Sequence, residues 1–263
     1  MDAKRASVLL LDGRFADFYR LARNADRSIR KTGSSFLISA FGDAVLHFVI
    51  GDIHGSYHKL ASLVARCRDF ASGHAHRFIF LGDYVDRGEA SCQVVDMLIG
   101  MQTDRTPPVL LKGNHEQMLL DATGSAEAAL TWFANGGAAT LESYGVTNAF
   151  ELPESHLAWF RHLILRFDDG QRLYVHAGVD PSRPLEKQQS RHLLWMREPF
   201  LSSEVDYGRL VVHGHSPTES RQPDLRSNRL NIDTGAVYGG PLTAAVFNSE
   251  QKLPIDFLTS DID

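Results

Sequence analysis

The 263-residue chain reads as an α/β protein with a helical insert. Three observations predict this. From Leu46 onward, short apolar runs alternate with amphipathic stretches at helical spacing, the pattern of parallel strands joined by crossover helices. Residues 117 to about 165 lose the strand pattern and carry Met118, Leu119, Leu120, Leu130, Trp132, Phe133, Leu141, Leu157, Phe160 and Leu163 in helical patterns. Beyond them, apolar runs recur with few helices between, so the second half is richer in strand.

The elements are taken in chain order. Residues 46–50 form a first strand, and 56–69 a helix that Ser56 can cap, with Leu60, Leu63, Val64 and Cys67 on one face. A second strand spans 77–81, a helix lies near 92–101, and a third strand spans 109–112. After the helical insert, strands are expected at 172–175, 210–212, 229–232 and 242–247. No repeat, low-complexity tract or linker interrupts residues 44–263, which read as one domain. Residues 1–43 mix basic and scattered apolar residues and contain no ligand pattern, so they read as a weakly ordered or peripheral extension. The run Val8–Leu11 is cut off by Asp12 and is too short for a signal core.

Composition narrows the function classes. A formal net charge of -5 argues against broad binding to nucleic acid or to an anionic membrane. No stretch is long and apolar enough to span a bilayer. Two cysteines, Cys67 and Cys92, have no metal-ligand spacing and fit a reduced, cytoplasmic chain. Oligomeric state is not legible.

The chemistry lies at the strand ends. Phe48-Val49-Ile50 runs into GDIHG, Phe78–Leu81 into GDYVDRG, and Val109–Lys112 into GNHE. Later, Leu173-Tyr174-Val175 runs into His176-Ala177-Gly178, and Val211-Val212 into His213-Gly214-His215. Parallel strands share one carboxyl edge, where ligands bind. Asp, His and Asn gathered at one edge would be costly without partners, and divalent cations satisfy them together. A lone Gly-Asp after a strand is more often a turn; five matching strand ends are not.

GDIHG, GDYVDRG, GNHE, HAG and GHSP, in this order over about residues 46–247, resemble the phosphoprotein phosphatase family of metallophosphoesterases, in its bacterial serine/threonine phosphatase branch. The resemblance implies a calcineurin-like fold: two packed mixed β-sheets flanked by helices, with the site along one edge. It also implies two divalent ions, with manganese expected and iron or zinc as alternatives. Asp52 and His54 would hold one ion, Asp83 would bridge both, and Asn114, His176 and His215 would hold the other. A hydroxide bridging the ions would attack phosphorus directly. His115 would protonate the leaving oxygen, with Asp86 orienting the imidazole.

Arg87 would bind phosphate oxygens, with Asn114 beside it and Arg197 of LLWMREPFL as a second arginine. For Arg197 a surface salt bridge is the plain alternative. His213 reads as a strand-end residue that could contribute only in a variant arrangement. Asp233-Thr234-Gly235 and Tyr238-Gly239-Gly240 resemble a loop near the family's site, although by themselves they are a glycine-rich turn.

The expected activity is hydrolysis of phosphoserine and phosphothreonine in proteins or peptides. Dinucleoside tetraphosphate hydrolases share the core, but their second motif departs from GDYVDRG where this chain keeps Asp86 and Arg87. A phosphoprotein-binding pseudoenzyme would lack a ligand or the acid, and none is missing.

Overall fold

The computed structural model of the chain describes residues 45–261, so the extension expected at residues 1–43 lies outside them. Strand β1 (Leu46–Ile50) leads through GDIHG into helix α1 (Tyr57–Ala71). Strand β2 (His76–Phe80) leads through GDYVDRG into α2 (Ser91–Met101), and β3 (Val109–Leu110) leads into α3 (Asn114–Ala122). Three further helices complete the insert: α4 (Ala126–Ala134), α5 (Gly137–Tyr144) and α6 (Glu154–His162). Then come β4 (Arg166–Asp168), β5 (Arg172–Val175), α7 (Ser190–Trp195), β6 (Leu210–His213), β7 (Asp224–Leu225), β8 (Arg229–Asn231), β9 (Thr243–Asn248) and β10 (Asp256–Thr259).

The strands form two five-stranded sheets, ordered β10-β9-β1-β2-β3 and β4-β5-β6-β8-β7. Each is mixed. In the first, β1, β2 and β3 run parallel, and β9 and β10 are added antiparallel. In the second, β5, β6 and β8 run parallel, with β4 and β7 antiparallel at the edges. Val49, Ile79 and Leu81 from the first sheet pack with Tyr174, Leu210, Val212 and Leu230 from the second, which makes the layer between the sheets the core. The two-residue period of a strand then sends alternate side chains outward. Leu173, Val175 and Val211 accordingly join Leu193 and Phe200 in a separate apolar cluster.

Several local expectations shift. Ser56 sits at the start of α1 without a side-chain cap, and that helix continues to Ala71. The third strand is only two residues long, because beyond it Leu111 bridges Ile164, at the far end of the insert. Leu130 and Phe133, whose spacing matches a buried helical face, are exposed, while Trp132 between them is fully buried. Among the described residues no helix is long and apolar enough to cross a membrane.

Candidate metal centre

Each of the six parallel strands delivers a polar side chain just past its carboxyl end: Asp52 after β1, Asp83 after β2, Asn114 after β3, His176 after β5, His215 after β6 and Asp233 after β8. The turns that bring them inward are tight. His54, Asp83, Asp86, Arg87 and His215 all have positive φ, between 47° and 73°, which costs a non-glycine residue free energy that the surroundings must offset. The glycines of the motifs explain themselves by contact. A Cβ on Gly88 would collide with the His54 carbonyl, so the ends of GDIHG and GDYVDRG can only meet with glycine there. A Cβ on Gly113 would strike the Asp83 carboxylate.

Asp83 is the hub. Its Oδ2 lies 3.4 Å from His54 Nε2 and 3.9 Å from His115 Nε2, while its Oδ1 lies 3.3 Å from His176 Nε2. Two groups able to hold a cation share it, one of His54, Asp83 and His115, the other of Asp83, His176 and His215. Asn114 belongs to the second geometrically, because its Oδ1 sits 2.9 Å from His176 Nε2 and 2.8 Å from His215 Nδ1. The imidazoles are oriented from behind: His54 Nδ1 pairs with the Val85 carbonyl at 2.8 Å and His176 Nδ1 with the Leu81 carbonyl at 2.9 Å. In each, that bond leaves Nε2 facing the site.

Electrostatics mark the same place. Burial and the neighbouring Asp233 hold the Asp52 carboxyl well above the usual carboxylate range. Burial pushes Asp233 up to about 6, and burial with Asp83 pushes Glu116 up to about 7. Burial opposes charge on Asp83 and His176 as well, but their mutual attraction wins, lowering Asp83 far below the usual range and raising His176 to about 10. Buried carboxylates crowded like this call for positive charge. The donors are imidazole nitrogen, carboxylate and amide oxygen, with no sulfur. That set suits a pair of first-row divalent cations, so the residues fit the group that the motifs imply.

The remaining site residues lie around these two groups. Asp52 stands outside both three-residue groups, and its carboxylate accepts the His215 backbone N–H at 3.0 and 3.1 Å. His115 instead lies within ligand reach beside His54, their rings 4.6 Å apart. His213 is fully buried against Phe200, and burial lowers it to about 3; it packs rather than reaching into either group. Arg197 is exposed and close enough to His215 for its charge to disfavour protonation there. Arg87 is exposed, its Nη1 2.7 Å from His54 Nε2 and its guanidinium 5.7 Å from the Tyr238 ring centre.

His115 Nδ1 and Asp86 Oδ2 are 2.6 Å apart. Asp86 also accepts from Trp132 Nε1 at 2.9 Å and from Thr140 Oγ1 at 2.7 Å. Trp132 and Thr140 come from α4 and α5, and no sequence signal marks them. Glu116 is a second residue to which the motifs give no role: its carboxylate accepts the backbone N–H groups of Asp83, Tyr84 and Gly113, tying GNHE to GDYVDRG. Asp233 does carry a signal, since it comes after a parallel strand as Asp52, Asp83 and Asn114 do.

Residues 48–245 match the calcineurin-like phosphoesterases, and the chain belongs to that family. The phosphoprotein phosphatase resemblance fits the relatives. Serine/threonine-protein phosphatase 1 of Salmonella typhimurium is 31% identical over 206 residues, covering 75% of this chain and 90% of its own. Bis(5'-nucleosyl)-tetraphosphatase PrpE of Anoxybacillus flavithermus is 26% identical over 222 residues, covering 76% and 89%. Among solved structures, a putative diadenosine tetraphosphatase matches with a TM-score of 0.60 at 22% identity, over 82% of this chain and 94% of that one. A metallophosphoesterase from Sphaerobacter thermophilus matches at 0.54 and 18% identity, over 83% and 89%. These two likenesses show the fold alone.

Proposed function

We propose that this metallophosphoesterase is a phosphomonoesterase acting on phosphoserine and phosphothreonine in proteins or peptides. The observation that carries the reading is the buried His115–Asp86 pair, 2.6 Å apart and braced by Trp132 and Thr140. A serine or threonine alkoxide is a poor leaving group, and a positioned acid is worth most there. A nucleotide leaving through its phosphate gains less from a proton. The 31% identity to a bacterial serine/threonine phosphatase points the same way.

In this reading Asp52, His54 and Asp83 would hold one divalent cation, and Asp83, Asn114, His176 and His215 would hold the other. When bound, the pair supplies Lewis acidity toward the phosphoryl oxygens and a water of lowered pKa. The protein's own groups do the rest. Arg87, with Asn114 and Arg197, orients the phosphoryl oxygens, and a planar guanidinium suits that work better than an ammonium. His115 gives its proton to the departing oxygen, and Asp86 holds the imidazole correctly turned. Trp132 and Thr140 donate to the same carboxylate, which fixes Asp86 in place.

A second reading, dinucleoside tetraphosphate hydrolysis, is favoured by two exposed rings at the site. Trp195 stands 6.1 Å from the His215 ring and is 45% exposed, and Tyr238 is 52% exposed beside Arg87. Such rings suit a nucleobase. One side-by-side assay separates the readings: phosphoserine and phosphothreonine peptides, an aryl phosphate and diadenosine tetraphosphate, each after chelation and manganese addition. Peptide turnover well above dinucleotide turnover is the expected result, and the reverse order would overturn the first reading.

A further inference from the structure

The turn after Asp233 is held in a way that its sequence does not suggest. Lys59, on α1 and only 8% exposed, donates from Nζ to the carbonyls of Ala236 and Gly240, each at 3.1 Å. From the other side Arg221 donates to the carbonyls of Tyr238 and Gly239, again at 3.1 Å each. Four of the five carbonyls from Ala236 to Gly240 are thus taken by two cationic side chains. Inside the turn, the Tyr238 and Gly240 N–H groups both donate to the Gly235 carbonyl at 2.9 Å. The segment is short and glycine-rich, yet its backbone groups are largely committed.

What this rigid turn presents is the Tyr238 ring, which lies against the Arg87 guanidinium. Arg87 has few other restraints. Its backbone is fixed by a bond to the Gly136 carbonyl, but among the described residues no carboxylate lies within ion-pair reach of its side chain. Its Nη1 lies 2.7 Å from His54 Nε2, the nitrogen that a cation would take, so in the metal-loaded protein the Tyr238 ring is the neighbour left to restrain the guanidinium. A long, flexible arginine gains most when a neighbour restricts it before the ligand arrives, because less side-chain freedom is lost on binding.

We propose that Lys59 and Arg221 are positioning residues: by gripping the 236–240 turn they hold Tyr238 against Arg87 and so aim its guanidinium at the phosphoryl group. Lys59 adds a link to the first motif, since it lies on the helix that begins directly after GDIHG. The same helix that comes after Asp52 and His54 thereby sets the place of the phosphate-binding arginine, which comes from another strand. This inference rests on the phosphoryl-binding role given to Arg87, but not on which phosphoester is cleaved.

The test is calorimetric binding of inorganic phosphate to the manganese-loaded full chain, with metal content and melting temperature measured on each variant. Lys59→Met keeps the length and removes the donors. It should retain metal and weaken phosphate binding by about five- to tenfold, the size of one well-aimed charge-assisted contact. In an Arg87→Ala background the same change should have no further effect, because it acts through Arg87. Arg221→Gln should act in the same direction and carries the test if Lys59→Met does not fold. Normal phosphate affinity in Arg221→Gln or in a folded Lys59→Met variant, even with a lowered melting temperature, would overturn the inference. So would an equal loss with and without Arg87. If Arg87→Ala itself binds phosphate normally, the role of Arg87 fails first and the inference falls with it.

Discussion

Asp86 is fully buried and accepts from an indole, a hydroxyl and an imidazole at once. Burial raises its pKa above the usual carboxylate value, and the bonds from His115, Thr140 and Trp132 oppose that rise only in part. The contact with His115 sets the imidazole in place beside the centre, where the proposed mechanism uses it as the proton donor. General acid assistance is typically worth about 10²–10⁴-fold, and its value shrinks as the leaving group improves. His115→Asn should therefore keep its metal and lose far more activity on phosphoserine peptides than on an activated aryl phosphate. Equal losses on both substrates, with metal retained, would make His115 a stabiliser of phosphoryl charge instead of the acid. Away from the site, His47 allows a stability prediction. Burial and the nearby Arg172 lower its pKa from 6.5 to about 4, outweighing Asp169. Between those values the unfolded chain binds the proton more readily than the folded one, so stability falls as pH drops through this window. Denaturant melts of wild type and His47→Gln should diverge there by up to about 3 kcal/mol, with the variant less sensitive to acid.

At the scale of elements, the helical insert does more than fill space. Trp132 of α4 and Thr140 of α5 reach the acid pair, and α3 begins at Asn114 so that three motif residues lie in its first turn. Trp132→Phe removes one donor to a buried carboxylate, an interaction worth roughly 1.5–3 kcal/mol. It should lower the melting temperature and reduce kcat on phosphoserine peptides more than on aryl phosphate, echoing His115→Asn weakly. A change in stability alone, with both rates intact, would make the insert only a scaffold. None of this is legible in the sequence, because a tryptophan in an apolar helical pattern reads as core, and its one polar atom carries no pattern. The exposed Leu130 and Phe133 mislead for the same reason, since their spacing matches the buried face. The first three parallel strands are legible because their apolar runs stop at a glycine followed by a polar motif. The edge strands β4, β7 and β10 are not: they are two to four residues long, and Asp256–Thr259 is only half-buried along its length. Asp233 stands out weakly because its turn reads as ordinary, and only the convergence of six strand ends gives it a place.

At the scale of the molecule, the residues given to the site in the proposed mechanism and both described sheets lie within residues 45–261. A chain beginning near Phe41 is accordingly expected to keep its metal-dependent turnover, and a truncation that abolished folding or activity would move the domain start. The two sheets meet at one centre. Asp52, Asp83 and Asn114 come after strands of the first, and His176, His215 and Asp233 after strands of the second. Asp83 faces both groups, with one oxygen toward His54 and the other toward His176. In the proposed mechanism this carboxylate would join two cations into one site, and the rest of the mechanism depends on that role. The decisive measurement is elemental analysis of manganese-reconstituted wild type and Asp83→Asn. Two equivalents of metal are expected in the wild type, and depletion at both positions in the variant, with nearly all turnover lost. Two full equivalents retained in Asp83→Asn would contradict the bridging role.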